Sequence, residues 1–289
     1  MKNYFLYNPL AGKSNAQSKL LMWNSAENTD TVNLDMTKMV DFAEFAASLS
    51  ENDRIIVCGG DGTLNRFVNQ LNNTPVTNEI IYYPAGSGND FAKDLDCSEA
   101  DGAFDVSGYI KTLPSANING KAYRFINGVG FGIDGMVCAE GDRLRGKVKK
   151  VNYTLLAIKC LLFGFKPVNA TIIVDGEEKH YKKVWMATTM KGRFFGGGMM
   201  LAPDQKRDDP ESKLSLVVVH NISKLRILSI FPSIFKGTHT KFTDYVSVIP
   251  CRNIKVSYDQ PCFLQMDGEP MCGVTEYSAT FLSRKAQIV

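Results

Sequence analysis

The sequence predicts two domains, an N-terminal α/β half followed by a mainly β half, and three observations carry that prediction. Short apolar runs alternate with helical stretches up to about residue 97. Strand-like segments with tight turns dominate the remainder of the chain. At 289 residues and 44% hydrophobic, the chain can build a substantial core, and its length favours two domains over one.

Residues 3–7 read as a strand, followed by the turn-forming Asn8-Pro9-Leu10-Ala11-Gly12-Lys13-Ser14 and a helix around 15–23. The unit recurs with a weak strand near 31–34 and a helix near 38–49. It recurs again as Ile55-Ile56-Val57-Cys58 with a helix from about 63 to 71, and as Ile80-Ile81-Tyr82-Tyr83 with a helix near 89–95. Such alternation predicts a parallel sheet with crossover helices. In the second half, strands are expected at 122–127, 168–174, 179–189, 214–220, 245–249, 252–258, 262–266 and 276–282, with Asp175-Gly176 marking a hairpin turn. Helices near 149–163 and 222–236 are apolar on more than one face. That pattern suits core packing, the expectation here, or a greasy pocket wall.

Composition narrows the class without choosing within it. A formal charge of +3 suits an anionic partner such as a nucleotide or a phospholipid surface, and no nucleic-acid partner is expected. The seven cysteines are scattered and include no CxxC pair, so neither a zinc site nor a disulfide framework is suggested. The N-terminus reaches Asn8-Pro9 before a signal-peptide core develops, and no window approaches ~18 apolar residues. A cytoplasmic protein that touches a membrane from one side is the expectation. The oligomeric state is left open, a homodimer included.

Chemistry concentrates where Ile55-Ile56-Val57-Cys58 ends in Gly59-Gly60-Asp61-Gly62-Thr63-Leu64-Asn65. Glycines let a backbone approach phosphate oxygens, and a helix N-terminus supplies N–H donors and a favourable dipole. Asp61 is a candidate magnesium ligand. The bland alternative is a tight turn without a ligand, but the glycines fall at the carboxyl end of a parallel strand, where such sheets bind ligands. Two more loops belong on the same sheet edge: the one carrying Asn8, Gly12 and Lys13, and Pro84-Ala85-Gly86-Ser87-Gly88-Asn89-Asp90-Phe91. Together they form a candidate polyphosphate cradle. Lys13 is either a phosphate contact or a solvated lysine. Near the end, Met266-Asp267-Gly268-Glu269 offers two carboxylates able to accept a proton from an alcohol, or a plain Asp-Gly β-turn.

The combination resembles the diacylglycerol kinase catalytic-domain family, which includes soluble bacterial lipid kinases and sphingosine kinases. The resemblance spans nearly the whole chain. It rests on the Asn8-Pro9…Gly12 opening, Gly59 to Asn65, Pro84…Gly86-Ser87-Gly88-Asn89-Asp90-Phe91-Ala92, Asn127-Gly128-Val129-Gly130-Phe131-Gly132, Gly196-Gly197-Gly198 leading to Ala202-Pro203, and Met266-Asp267-Gly268-Glu269. It implies a three-layer α/β nucleotide-binding domain over 1–115, to which 283–289 returns, and a β-sandwich-like lipid-binding and catalytic domain over 116–282. It further implies ATP and Mg2+ as cofactors, a lipid alcohol such as diacylglycerol as acceptor, and contact with the inner face of the membrane. The nucleotide-binding set is then Asn8, Gly12, Lys13, Gly59, Gly60, Asp61, Gly62, Thr63, Asn65, Gly86, Ser87 and Asn89. Asp267 or Glu269 is implied as the catalytic base, and Asp208 and Asp209 as candidates for a second metal.

Departures from the family pattern are specific. Arg66 stands where the family has glutamate after its asparagine, and Asp209-Pro210 replaces Asp-Gly in the acidic loop. A nucleotide-contacting threonine expected after the second strand has Met36 nearest, with Thr37 beside it. Gly128-Val129-Gly130-Phe131-Gly132 is GxGxG rather than a dinucleotide fingerprint, and is expected as a close-packed turn between domains. Arg143, Arg145, Lys147, Lys149 and Lys150 form a basic stretch suited to a solvated helix face or an anionic lipid surface. Two rival functions remain: a soluble-metabolite kinase of the NAD-kinase type, and a nucleotide- or lipid-binding regulator without catalysis.

Overall fold

The apolar runs of the first half pair as four parallel strands, each long enough to bury alternate residues on opposite faces. The computed structural model describes the chain except residues 10–15, 28–29, 72–73, 145–146, 149–150, 210, 212 and 282–289. It divides into Met1–Leu113 and Pro114–Val289. The Asn8-Pro9 loop beyond Pro9, including Gly12 and Lys13, and the segment 283–289 therefore lie outside the described residues.

In the first unit the order along the chain is β1 (Asn3–Tyr7), α1 (Ala16–Glu27), β2 (Thr31–Asp35), α2 (Phe42–Ala47), β3 (Arg54–Gly59), α3 (Asp61–Gln70), β4 (Glu79–Pro84), α4 (Asp90–Asp94), β5 (Phe104–Asp105) and α5 (Ser107–Ile110). The sheet runs β2-β1-β3-β4-β5, parallel except for the short β5. Register pairs Phe5 with Ile56 and Ile56 with Ile81, so these side chains share one face and pack with Trp23 of α1, Cys58 and Tyr83. Leu6, Ile55, Val57 and Tyr82 therefore face the other way and are fully buried. On that side Phe42 of α2 meets Phe67 of α3, and Tyr82 meets Phe91 of α4. Helices on both faces make three layers. Asp41 starts α2 by accepting the Ala43 and Glu44 N–H groups at 2.8 and 2.9 Å. Because β1 leads to β2 on one side and the chain then returns to β3 on the other, the switch in strand order falls between β1 and β3, beside Asn8 and Gly59.

The second unit contains β6 (Ser115–Ile118), β7 (Lys121–Arg124), β8 (Gly128–Gly132), α6 (Ile133–Leu144), α7 (Tyr153–Lys159), β9 (Val168–Val174), β10 (Glu177–Met190), β11 (Phe194–Phe195), β12 (Met199–Met200), β13 (Leu214–His220), α8 (Lys224–Ile230), β14 (Val246–Cys251), β15 (Asn253–Met266) and β16 (Glu269–Thr280). Nine of these strands form one sheet along β14-β13-β10-β8-β15-β16-β6-β7, with β9 pairing β10 and β15. Thus β8 and β9 divide the space between two long strands: β10 pairs β9 through 177–184 and β8 through 186–190. The core gathers Phe131, Trp185, Leu216, Val218, Val256, Leu264 and Tyr277, all at most 2% exposed.

Here the structure corrects one expectation. Gly128–Gly132 is not a turn but the inner strand β8, held between β10 and β15. Its glycines answer to crowding: a Cβ on Gly130 would lie 2.3 Å from Thr188 Oγ1, and one on Gly132 would lie 2.3 Å from the Trp185 carbonyl oxygen. The predicted helices at 149–163 and 222–236 exist, but each ends in another helical form, a π turn at Cys160–Gly164 and a 3-10 turn at Phe231–Lys236. Core packing accounts for only one side of each.

Candidate functional site

The glycine turn of the first unit is built by backbone approach. Gly59 closes β3, Gly60 is the extended residue that starts α3, and Asp61, Gly62 and Thr63 form its first turn. No side chain among the described residues caps this helix; its first backbone bonds run from the Thr63 and Leu64 N–H groups to the Gly60 carbonyl at 3.0 and 3.1 Å. The second loop lies directly against it. A Cβ on Gly86 would sit 2.4 Å from the Gly60 Cα and 2.8 Å from Asn89 Oδ1, so only glycine permits this contact. Ala85 N–H donates to the Gly59 carbonyl at 2.9 Å, and the buried Tyr82 hydroxyl donates to the same oxygen at 2.9 Å. Burial pushes the Tyr82 phenol well above its ordinary value, so it stays a donor. Thr63 Oγ1 is buried with no hydrogen-bond partner among the described residues, wedged where a Gly59 Cβ would fall. A buried unpartnered hydroxyl beside a glycine cradle fits a phosphate-bearing ligand.

The structure gives several predicted residues a role inside the protein. Asp61 accepts the Asp90 and Phe91 N–H groups at 2.9 and 2.8 Å, one on each carboxylate oxygen, and so caps α4. Asn89, left-handed at φ 49°, clasps its own loop: Oδ1 accepts from Gly86 N at 2.9 Å and Nδ2 donates to Gly86 O at 3.0 Å. Asn65 is buried on α3, where its Oδ1 accepts from Asn69 Nδ2 at 3.1 Å. Ser87 is exposed at the loop tip and Asn8 is half-buried at the end of β1. Thr37 closes the turn after β2, its N–H and hydroxyl both donating to Asp35 Oδ1 at 2.9 and 2.6 Å, while Met36 is fully buried. The Thr37 hydroxyl holds the Asp35 carboxyl below its ordinary value.

In the second unit the structure separates the two carboxylates. Asp267 and Gly268, at φ 48° and 89°, form a two-residue hairpin turn that pairs Met266 with Glu269. The Asp267 carboxylate accepts three successive backbone N–H groups: Ile126 at 2.6 Å, Asn127 at 2.8 Å and Gly128 at 2.9 Å. Its own N–H donates to the Gly128 carbonyl at 2.9 Å. Three charge-assisted bonds make the Asp267 carboxylate an anchor for this turn. Glu269, the first residue of β16, is exposed.

Behind this turn lies a polar chain that sequence reasoning missed. Gly268 N–H donates to Gln265 Oε1 at 3.0 Å, and Gln265 Nε2 donates to Asp134 Oδ2 at 3.2 Å. Thr188 Oγ1 donates to the same oxygen at 3.0 Å, and Asp134 Oδ1 is buried without a partner. Burial pushes the Asp134 carboxyl up to about 6. Arg207, also missed, is buried and donates to Ile126 O at 2.5 Å and to Asn127 Oδ1 at 2.8 Å, bracing the segment that Asp267 holds. Only its place in the acidic loop marked it. The loop itself is modest: Asp208 is exposed and Asp209 accepts the Glu211 N–H at 2.7 Å. Buried His239 meets the Leu201 carbonyl at 3.0 Å through Nε2.

Both oxygens of Asp61, the candidate magnesium ligand, accept from the start of α4, and no three His, Cys, Asp or Glu side chains converge on a metal position among the described residues; Asp208 and Asp209, the candidates for a second metal, lie in the second unit. Of the basic stretch, Arg143 pairs with Glu140 at 2.7 Å, while Arg145, Lys149 and Lys150 lie outside the described residues.

The glycine-lined loop pair on the α/β sheet of the first unit fits the class of phosphate-binding α/β domains, and the second unit presents a carboxylate hairpin on a β sheet. Residues 2–115 match the model of the diacylglycerol kinase catalytic domain, and residues 127–281 match that of the YegS C-terminal NAD kinase beta sandwich-like domain. The chain belongs to the diacylglycerol kinase family of lipid kinases, phosphotransferases that act on an alcohol group. A diacylglycerol kinase of Mycobacterium tuberculosis is 28% identical over 218 residues, covering 73% of this chain and 69% of that protein. One from Bacillus subtilis is 26% identical over 231 residues, covering 77% and 73%. The fold matches a crystal structure of a Bacillus anthracis diacylglycerol kinase with a TM-score of 0.64 at 19% identity, over 98% of this chain and 94% of that one.

Proposed function

We propose that this chain transfers the γ-phosphoryl group of ATP to the hydroxyl of a membrane lipid such as diacylglycerol. The observation that carries the reading is the Gly60–Gly86 contact, which brings glycine backbone from two loops together, beside the Asn89 side chain, at the start of α3. The Gly59-Gly60-Asp61-Gly62 backbone and the exposed Ser87 hydroxyl bind the phosphates, and the buried Thr63 hydroxyl gains a partner. Glu269 accepts the acceptor hydroxyl's proton as the new O–P bond forms and ADP leaves. Asp267 positions Glu269 by fixing the hairpin. Magnesium, arriving with the nucleotide rather than held beforehand, would supply neutralisation of phosphate charge. Catalysis is then mainly positioning and electrostatics. The acceptor is reached from the cytoplasmic face of the bilayer. No helix among the described residues is long and apolar enough to cross a membrane.

The test is incubation with γ-labelled ATP, magnesium and a total lipid extract, followed by identification of the labelled product. A labelled phospholipid is expected, and its loss on omitting magnesium. No labelled lipid from any extract overturns the reading, and label appearing on NAD instead would establish the soluble-metabolite alternative.

A further inference from the structure

The two helical segments of the second unit that the sequence assigns to the core leave a shared face uncovered. In α7 and its π turn, Leu156, Cys160, Leu161 and Phe165 point inward. Leu155, Lys159 and Phe163 recur at every fourth position on the opposite side, with Leu155 64% and Phe163 83% exposed. In α8, Ile227 and Ile230 are buried and Leu225 is 79% exposed. The segments are tied together at this point: Lys224 Nζ donates to the Leu162 carbonyl at 2.8 Å, joining the immediate neighbours of Leu225 and Phe163. Large apolar side chains exposed singly are ordinary, but three on two segments joined in this way call for a partner.

Charge decides which partner. Residues 151–166 and 221–243 contain no aspartate or glutamate, yet carry Lys159, Lys166, Lys224, Arg226, Lys236 and Lys241. Lys159 lies within the apolar stripe, Lys166 comes just after it, and Lys224 and Arg226 flank Leu225; all four residues are exposed. A second copy of this chain, related by two-fold symmetry, would set these cations against themselves. An anionic bilayer meets both features at once, since apolar side chains enter the acyl boundary while long cationic chains remain at the phosphates.

We propose that Leu155, Phe163 and Leu225 insert into an anionic phospholipid surface, with Lys159, Lys166, Lys224 and Arg226 engaging its phosphate headgroups. This rests on the lipid-kinase reading for its purpose but not for its physics, and the experiment keeps the two apart. Sedimentation of the full chain with phosphatidylcholine vesicles is compared with vesicles containing phosphatidylglycerol as well. Wild type is expected to bind the anionic vesicles preferentially, and less tightly as salt rises. The double variant Phe163→Glu with Leu225→Glu is expected to lose about tenfold or more in vesicle affinity with an unchanged thermal midpoint, both side chains being exposed. Lys159→Glu with Lys166→Glu should weaken anionic binding only. In activity assays the apolar variant should keep wild-type turnover on a short-chain acceptor dispersed in detergent and lose it on vesicles.

The inference is overturned if wild type ignores anionic vesicles or if the apolar variant sediments like wild type. It is also overturned if light scattering shows that the same substitutions dissociate a dimer while leaving vesicle binding intact. Should wild type label no lipid in detergent or vesicles but sediment in a Phe163- and Leu225-dependent way, the docking face stands and the kinase reading falls.

Discussion

Two Asp-Gly turns, one in each unit, look alike in sequence and are built for different ends. Asp61 opens a helix after a parallel strand; Asp267 turns a β hairpin. In both the motif carboxylate is turned into the protein, taking two backbone N–H groups in the first case and three in the second. The difference lies in what each leaves outward. Asp61 ties two loops together so that glycine backbone lines their meeting point, which suits an anion. Asp267 fixes the register of β15 and β16, so that the next carboxylate, Glu269, stands exposed at the strand's start. A conspicuous acid in a kinase motif can therefore be the scaffold, with its neighbours doing the chemistry.

The sharpest way to break that comparison is Glu269→Gln. If Glu269 is the base, kcat should fall about 10²- to 10⁴-fold with the melting temperature unchanged, since an exposed side chain is exchanged for its isostere. A variant that keeps near-wild-type turnover would return the base to Asp267.

The scaffold roles predict a stability signature instead. Asp267→Asn sets an amide N–H against backbone donors and should cost about 2–4 kcal/mol, and Asp61→Asn, with two such bonds, about 1–3 kcal/mol. Denaturant unfolding reads both. Equal stabilities of the two variants with wild type would show that these bonds do not hold the turns.

What could be read from the sequence tracked local periodicity. Residues 3–7, 168–174 and 214–220 are strands with the expected bounds because β-branched or aromatic runs stop at turn residues there. Strand β8 was hidden because Gly128, Gly130 and Gly132 lack the side chains by which strands are recognised, and only the crowding of β10 explains them. The glycine-rich loops were legible as patterns. That Asp61 takes intramolecular partners was not, since hydrogen bonds across about 30 residues leave no local trace. Arg207 and Asp134 were invisible for the same reason.

Asp134 sharpens the second turn from behind, through Gln265 to Gly268. Its carboxyl is raised by burial from 3.8 to about 6, so the folded protein holds that proton more tightly than the unfolded chain does. The stabilisation this confers is complete below about pH 4 and is lost as pH rises through about 6. Asp134→Asn removes the titrating group while keeping an oxygen for Thr188 and Gln265. Above pH 7 the variant should be more stable than wild type by as much as about 3 kcal/mol, the equivalent of roughly two pH units. The gain should vanish towards pH 4. Parallel stability curves for the two proteins across that range would show that Asp134 is not ionising inside the fold.

The smallest effect is expected at the residue that most disturbs the first turn on paper. Arg66 reverses the charge that the family places after Asn65, close in sequence to a phosphate cradle. In the structure it is exposed in the second turn of α3, and its Nε donates to Gln70 Oε1 at 3.1 Å, away from the helix start. The helix dipole acts within the first turn, and an exposed charge beyond it is screened by salt. Arg66→Glu should therefore shift stability by less than about 0.5 kcal/mol and change the KM for ATP by less than about threefold at physiological salt. If KM instead moves tenfold or more, and the change shrinks as salt is raised, Arg66 reaches the phosphates and the first turn uses a cation where its relatives use an acid.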